Sequence, residues 1–320
     1  MTERGGVLGK LQEMEKRATG KVSAPVDLPA PAQQVVRVIQ LPLWPEAVRG
    51  VPNSVLRSAL FGAIKRGKRA YQDAVRKASV DGVIVVHTGP QLDQADLDVW
   101  EQCLHLARSE SLGNRIQFTA NAFLKAIGRS NGKSQHEWLK GSLRRLMTSL
   151  VELQDGKKAY AGQLLHDWAR DDETGHHIIE INPKLAAMYG GDGWTQVEWV
   201  QRKALKGQPL ASWLHGFYTT HARPFPYKVE TLHDLSGSEA KQLKHFKSEL
   251  KAALEKLADA TGWSWSIDEA DLVRIERNAS KSQQRHLARR APKAKAPKVK
   301  KVTGTKRATG HGIAPTKPTA

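Results

Sequence analysis

Apolar residues recur at helical spacing over Leu243, Phe246, Leu250, Leu254 and Leu257, which predicts a helix with one stripe facing a core. Ser236 and Glu239 stand just before it with the spacing of a capping box, in which a Ser hydroxyl and a Glu carboxylate satisfy the free backbone donors of a helix start. Gly262 predicts the helix end. Trp263, Trp265 and Ile267 then alternate as on a strand, Asp268 to Asp271 supply turn chemistry, and Leu272 to Arg277 read as the returning strand. Helix plus hairpin is the plan of a winged helix.

The pattern occurs a second time, nearer the N-terminus. Arg115 to Phe118 reads as a strand, and Thr119 opens a helix with Phe123, Leu124 and Ile127 inward, ending at Gly128. Gln135 to Leu153 predicts a long helix with Leu139, Leu143, Leu146, Leu150 and Leu153 on one stripe. Asp155-Gly156 introduces a hairpin with strands Ala159 to Trp168 and His176 to Asn182, joined through Asp171 to Gly175. A shift of 107 residues places Leu139 on Phe246, Leu143 on Leu250, Leu146 on Ala253, Met147 on Leu254 and Leu150 on Leu257, with Asp155 on Gly262. The match lies in apolar pattern more than in identity, so it fits either a duplicated fold or two independent amphipathic helices.

Elements upstream of each copy favour duplication. Val83 to Val86 reads as a strand and Asp96 to Leu106 as a helix with Leu97, Trp100 and Leu104 inward. Trp194 to Val200 reads as a strand, Pro209 to His221 as a helix, and Lys228 to Leu235 as a short helix. Asn53 to Ala78 reads as an amphipathic helix, with Val55, Leu56, Leu60, Phe61 and Ile64 against Arg57, Lys65, Arg66, Lys68 and Arg69; a solvated face explains its charge as well as DNA contact does. Gly190 to Gly193 is a natural boundary. The expected fold class is α+β: two tandem winged-helix domains, residues 51–190 and 191–279, after a disordered leader (1–34) and an extended segment (35–50), and before a basic disordered tail (280–320).

Charge adds a partner class. The formal net charge is +18, but Lys281 to Ala320 holds twelve Lys or Arg and no acid, leaving +6 for the rest. Such an arm attracts nucleic acid by counterion release without reading sequence, or serves as a solvated tail. The single cysteine, Cys103, excludes a disulfide framework and a thiolate-rich metal site, and suits a reducing, cytoplasmic setting. No run of eighteen apolar residues occurs and the first thirty lack an apolar signal core, so neither a membrane partner nor export is indicated.

Gln40-Leu41-Pro42-Leu43-Trp44 is a separate signal, because Pro42 and Pro45 favour an extended backbone. It resembles the Gln-Leu-x-Leu-Phe peptide that bacterial polymerases and their associates insert into the sliding clamp. Gln40, Leu41, Leu43 and Trp44 match its clamp-binding roles, with Trp for Phe. The alternative is that Leu41, Leu43 and Trp44 pack on the first domain.

The whole resembles an iteron-type plasmid replication initiator. Gln40 to Asn53, Val55 to Gly62 and the strand ending Val86-His87-Thr88-Gly89 are similar to the TrfA family of broad-host-range plasmids, over about Val35 to Asn278. The resemblance implies a non-enzymatic protein, without cofactor or metal, that binds direct repeats at an origin. It also implies opening of the adjacent AT-rich duplex and recruitment of host DnaA, the DnaB helicase and the sliding clamp. A recognition helix reading base edges would place Lys244, Lys247, Ser248 and Lys251 at the groove, with Lys241, Arg274 and Arg277 at phosphates. Lys140, Arg144 and Arg145 are the equivalents in the first copy, which in related initiators also serves self-association. Pure phosphate binding is the plainer role for these cations.

Two rivals frame this reading. A nicking endonuclease with two metal-holding histidines needs them on one strand face, whereas consecutive His176 and His177 fall on opposite faces; with His166 they read as surface or interface residues. No Gly-rich Lys-Ser/Thr phosphate loop supports an ATPase. A winged-helix transcriptional repressor would share every DNA contact and need no clamp peptide.

Overall fold

The structure, a computed structural model, describes residues 39–290 apart from 66, 68, 191 and 192. The expected leader, Arg66, Lys68, the middle of the Gly190 to Gly193 boundary and the tail beyond Arg290 lie outside the described residues.

The chain opens with β1 (Val48–Pro52) and the one-turn helix α1 (Asn53–Leu56), both buried throughout. β2 (Phe61–Gly62), β3 (Tyr71–Lys77), β4 (Val83–Pro90) and β5 (Leu92–Asp93) follow. No helix therefore spans Asn53 to Ala78. Val55, Leu56, Leu60, Phe61 and Ile64 are buried as expected, but past Ile64 no apolar stripe remains to hold a helix, and the chain turns into an outer strand with Tyr71 and Val75 exposed. α2 (Gln94–Ala107) begins at a capping box formed by Asp93 and Asp96.

β6 (Arg115–Thr119) leads into α3 (Ala120–Ala126), which Thr119 caps, and then α4 (Lys133–Thr148). The expected helix to Leu153 stops five residues early. Val151 and Leu153 are buried while Leu150, Glu152 and Gln154 are exposed, a period of two, and β7 (Leu150–Asp155) pairs with β4 on one side and β8 (Lys158–Gln163) on the other. The predicted strand Ala159 to Trp168 is accordingly divided between sheets, because β9 (Asp167–Asp171) pairs with β10 (His176–Glu180). A 3₁₀ helix at Pro183–Tyr189, β11 (Trp194–Glu198) and α5 (Trp199–Ala204) complete this part.

The remainder is α6 (Pro209–Thr219), β12 (Tyr227–Lys228), α7 (Val229–Ser236), α8 (Leu243–Thr261), β13 (Ser264–Ile267), β14 (Leu272–Glu276) and α9 (Lys281–Arg290). Ser236 ends a helix instead of starting one. Its buried hydroxyl donates to the His233 carbonyl, and Gly237 takes the left-handed φ of 62° that closes α7, so α8 begins six residues later than the capping-box spacing suggests. Lys281 to Arg290, expected to be unstructured, is helical, and the Gln283 amide docks it by donating to the Thr219 carbonyl.

Order and pairing repeat. α2, β6, α3, α4 and the hairpin β9–β10 match α6, β12, α7, α8 and the hairpin β13–β14, with six residues between the second and third helices in each. In both, the strand after the first helix pairs with the last hairpin strand, giving sheets β6-β10-β9 and β12-β14-β13. The first unit adds β7 and β8, which extend the sheet β3-β4-β7-β8. Leu139, Leu143 and Leu146 are buried like Phe246, Leu250 and Ala253, but Leu150 is exposed on a strand where Leu257 is buried on a helix, so the 107-residue register fails at the helix ends.

One core runs from Leu41 to Trp199 and a second from Leu205 to Ile275, so the chain changes cores within α5, later than Gly190 to Gly193. Arg202 joins them, donating to Asp98 and Gln94 on the α2 side and to the Ser212 carbonyl on the other. Arg57 adds a second link to Thr220.

Candidate nucleic-acid interface

α8 buries Phe246, Leu250, Ala253, Leu254 and Leu257, and this fixes which residues face outward. Lys241, just before the helix, and Lys244, Ser248 and Lys251 on it are exposed, and among the described residues no ion pair engages the three lysines. These ammonium groups keep their charge available to a polyanion. Lys247 is half-buried, and its ammonium meets the Asp271 carboxylate in the β13–β14 turn. Arg274 is exposed on β14 and lies 3.4 Å from Asp268.

Arg277 is a correction. Its guanidinium donates to the carbonyls of Tyr218, Thr219 and His221 and lies 4.9 Å over the Trp263 ring. Tyr218 and Thr219 end α6 and His221 lies two residues past it, so Arg277 caps the carbonyl end of that helix and is held within the fold. Burial lowers its pKa to about 10.

The first copy commits more of its cations to the fold. Arg145 forks onto Asp96, with Nη2 2.6 Å from Oδ1 and Nε 3.1 Å from Oδ2. Asp96 is fully buried; desolvation raises its pKa, while Arg145 and the Ser142 hydroxyl, 2.6 Å away, oppose that shift. Lys140 lies between Glu137 at 3.2 Å and Asp172 at 3.4 Å. Arg144 faces solvent. Only one of the three first-copy candidates therefore has an open, outward position.

Tertiary contact brings in residues that periodicity could not. Lys65 Nζ lies 3.0 Å from Glu249 on α8, placing this lysine beside the helix across 184 residues of sequence. His245 is also exposed on α8; its type and position carried no signal that set it apart.

Gln40 to Trp44 is built into the first core. Leu41 is 3% exposed and Trp44 4%, whereas Leu43 is 71% exposed. The Trp44 indole donates to His105 Nδ1 at 3.1 Å and stacks on Tyr189 with 6.1 Å between ring centroids. A Cβ on Gly50 would stand 2.5 Å from the Trp44 ring, so the glycine makes room for it. Gln40 donates to the Arg108 carbonyl at 3.2 Å, and Arg108 donates to that of Trp44 at 3.1 Å. Of the four clamp-type side chains, Gln40 and Leu43 are presented, while Leu41 and Trp44 are buried in the core.

His176 and His177 do fall on opposite faces of β10. His177 is buried, a correction to its surface reading. It accepts from the Trp168 indole at 3.1 Å and stacks between Phe118 and Trp168, and burial lowers its pKa to about 4. Among the described residues no group of three or more His, Cys, Asp or Glu is placed to hold a metal ion.

Comparison with known proteins adds the lineage. The plasmid replication initiator protein TrfA of Escherichia coli is 26% identical over 263 residues, covering 77% of this chain and 67% of that protein. Crystal structures of domains 2 and 3 of RctB align with a TM-score of 0.49 at 13% identity over 71% of this chain and 99% of theirs. The Pi initiator protein in complex with iteron DNA aligns with a TM-score of 0.46 at 12% identity over 62% and 98%. Likenesses of that size carry no functional weight. A family model described as TrfA protein matches residues 30–277, a span that includes both repeated units, and the chain belongs to the TrfA family.

Proposed function

We propose that this chain is a plasmid replication initiator that binds repeated duplex sites, iterons, through two winged-helix units, the second making the main base contacts. The observation that carries the reading is the exposed stripe Lys244, Ser248 and Lys251 on a third helix, with Lys241 just before it, that is packed by its opposite face and followed at once by a hairpin. A helix so held enters a major groove with its polar side leading, and cations on the hairpin reach the flanking phosphates. The repeated order of elements, with the strand after the first helix pairing to the last hairpin strand, supports the winged-helix assignment of each unit. Family membership supports the choice of plasmid origin DNA as the target.

In this reading the protein opens the adjacent AT-rich duplex and recruits DnaA, DnaB and the sliding clamp in the bacterial cytoplasm, while the first unit contributes self-association. No helix among the described residues is long and apolar enough to cross a membrane. Clamp capture through Gln40 to Trp44 requires Trp44 to leave its pocket. That burial also favours a second reading, a winged-helix transcriptional repressor, since it removes from the folded surface the feature that separated the two functions.

Footprinting the full chain on the origin region next to its own gene tests the proposal. Protection of direct repeats, with replication of a plasmid that carries the region and receives the protein in trans, is the expected result. Protection confined to a promoter, without replication, would establish the repressor.

A further inference from the structure

Lys140 and Lys247 occupy equivalent places on the two third helices, in the register that aligns the buried residues Leu139 with Phe246 and Leu143 with Leu250. Each carries its ammonium to a carboxylate in the turn of the hairpin that ends its own unit, Lys140 to Asp172 at 3.4 Å and Lys247 to Asp271. The two turns are built differently. Asp172 follows the first hairpin strand directly and is also held by Arg170 at 3.1 Å, while Asp271 precedes the last strand, in a left-handed conformation of φ 59°. The Asp271 carbonyl accepts from the Val229 amide at 2.9 Å, which ties the same turn to the start of α7. Sequence position and backbone conformation of the acid differ, yet the link from helix to turn occurs in both units.

Building on the DNA-binding reading above, we propose that this pair is a strut. It fixes the hairpin turn against the third helix so that both meet one duplex in register, and Lys247 acts on DNA through the hairpin it positions. Lys247 is then a positioning residue, whereas Lys244 and Lys251 are contacts. A part-exposed ion pair of this kind adds little to global stability. What it controls is the placement of Arg274, which the hairpin carries beside the groove.

The test uses the full chain, a duplex that it enriches from a randomised pool, and a random duplex of equal length. Asp271→Asn and Lys247→Met are each expected to weaken the enriched duplex about threefold to fivefold, the range of an exposed pair, and the double variant to be no worse than either single one. The salt dependence of binding should change equally in the two single variants, because both act on DNA through the hairpin and its Arg274. Lys241→Ala, as the phosphate-contact control, should lower the salt slope by about one. Asp271→Asn binding as tightly as the parent or more tightly, or Lys247→Met lowering the slope by about one where Asp271→Asn leaves it unchanged, would overturn the strut and make Lys247 a direct contact. Hydrogen exchange supplies a readout without DNA: the Asp271 and Leu272 amides should exchange faster in both variants. Unchanged exchange overturns the strut even if no duplex is enriched, and failure to enrich any duplex overturns the DNA-binding reading separately.

Discussion

α4 and α8 bury matching stripes against their own cores, yet they treat their cations differently. On α4, Arg145 is drawn inward by the buried Asp96 and Lys140 is shared by two carboxylates; on α8, Lys244 and Lys251 face outward without ion pairs among the described residues. One order of elements thus supports a helix whose charge holds the fold together and another whose charge is left to act on a partner. The difference originates on α2, where the capping-box acid of one unit reaches the third helix. A basic helix face is consequently no evidence of DNA contact until the carboxylates packed beneath it are known.

The sharpest way to break the comparison is Arg145→Met. It strands a buried carboxylate, and the expected loss is about 3–5 kcal/mol in denaturant unfolding. A loss under about 1 kcal/mol would return Arg145 to the surface cations. Trp44→Ala should cost a similar amount, about 3–5 kcal/mol, because it empties an aromatic site in the first core. Wild-type stability in that variant would free the peptide for a partner.

The next effect separates the two helix faces directly. Lys251→Ala and Arg144→Ala occupy equivalent positions. Each should leave stability within about 0.5 kcal/mol, while Lys251→Ala should lose about 1–3 kcal/mol of discrimination between an enriched and a random duplex. Equal losses from both would make the two units equal readers.

Acid should weaken both units together. Burial lowers the pKa values of His87, His105, His177 and His221 to about 4 and of His215 to about 3. As pH falls through about 6.5 the unfolded chain takes up protons that the folded chain refuses, so stability drops by up to about 1.4 kcal/mol per pH unit for each histidine. Glu101, raised to about 7 by burial, acts in the opposite direction between about pH 4.5 and 7, since there the folded chain holds the proton; it offsets about one histidine. Urea midpoints at pH 7.5, 6 and 5 should therefore fall steadily, and His177→Phe should flatten the slope. The smallest effect is Leu43→Ala, within about 0.5 kcal/mol, which against Trp44→Ala separates the presented from the buried half of the peptide.

Much of the fold was legible because amphipathic period is local. The helices at Gln94–Ala107, Pro209–Thr219 and Leu243–Thr261 and the hairpin of the second unit follow from which positions are apolar. Structure departs from the local period where two elements share one apolar run. Leu150 to Leu153 continues the α4 stripe on paper, but pairing to β4 and β8 gives its backbone groups partners and turns the period to two. Ser236 carries the chemistry of a helix start, and the glycine after it makes the same place a stop.

The sequence by itself determined that the chain is basic, rich in helix and strand, and repeated in pattern, because composition and period are properties of neighbours along the chain. Tertiary structure alone decided which cations remain available. Arg145, Lys247 and Arg277 look alike in sequence, and their roles were set by Asp96, Asp271 and the carbonyl end of α6, at 49, 24 and 56 to 59 residues' remove. Charge is neutralised by proximity in space, and long-range folding brings the opposing group there.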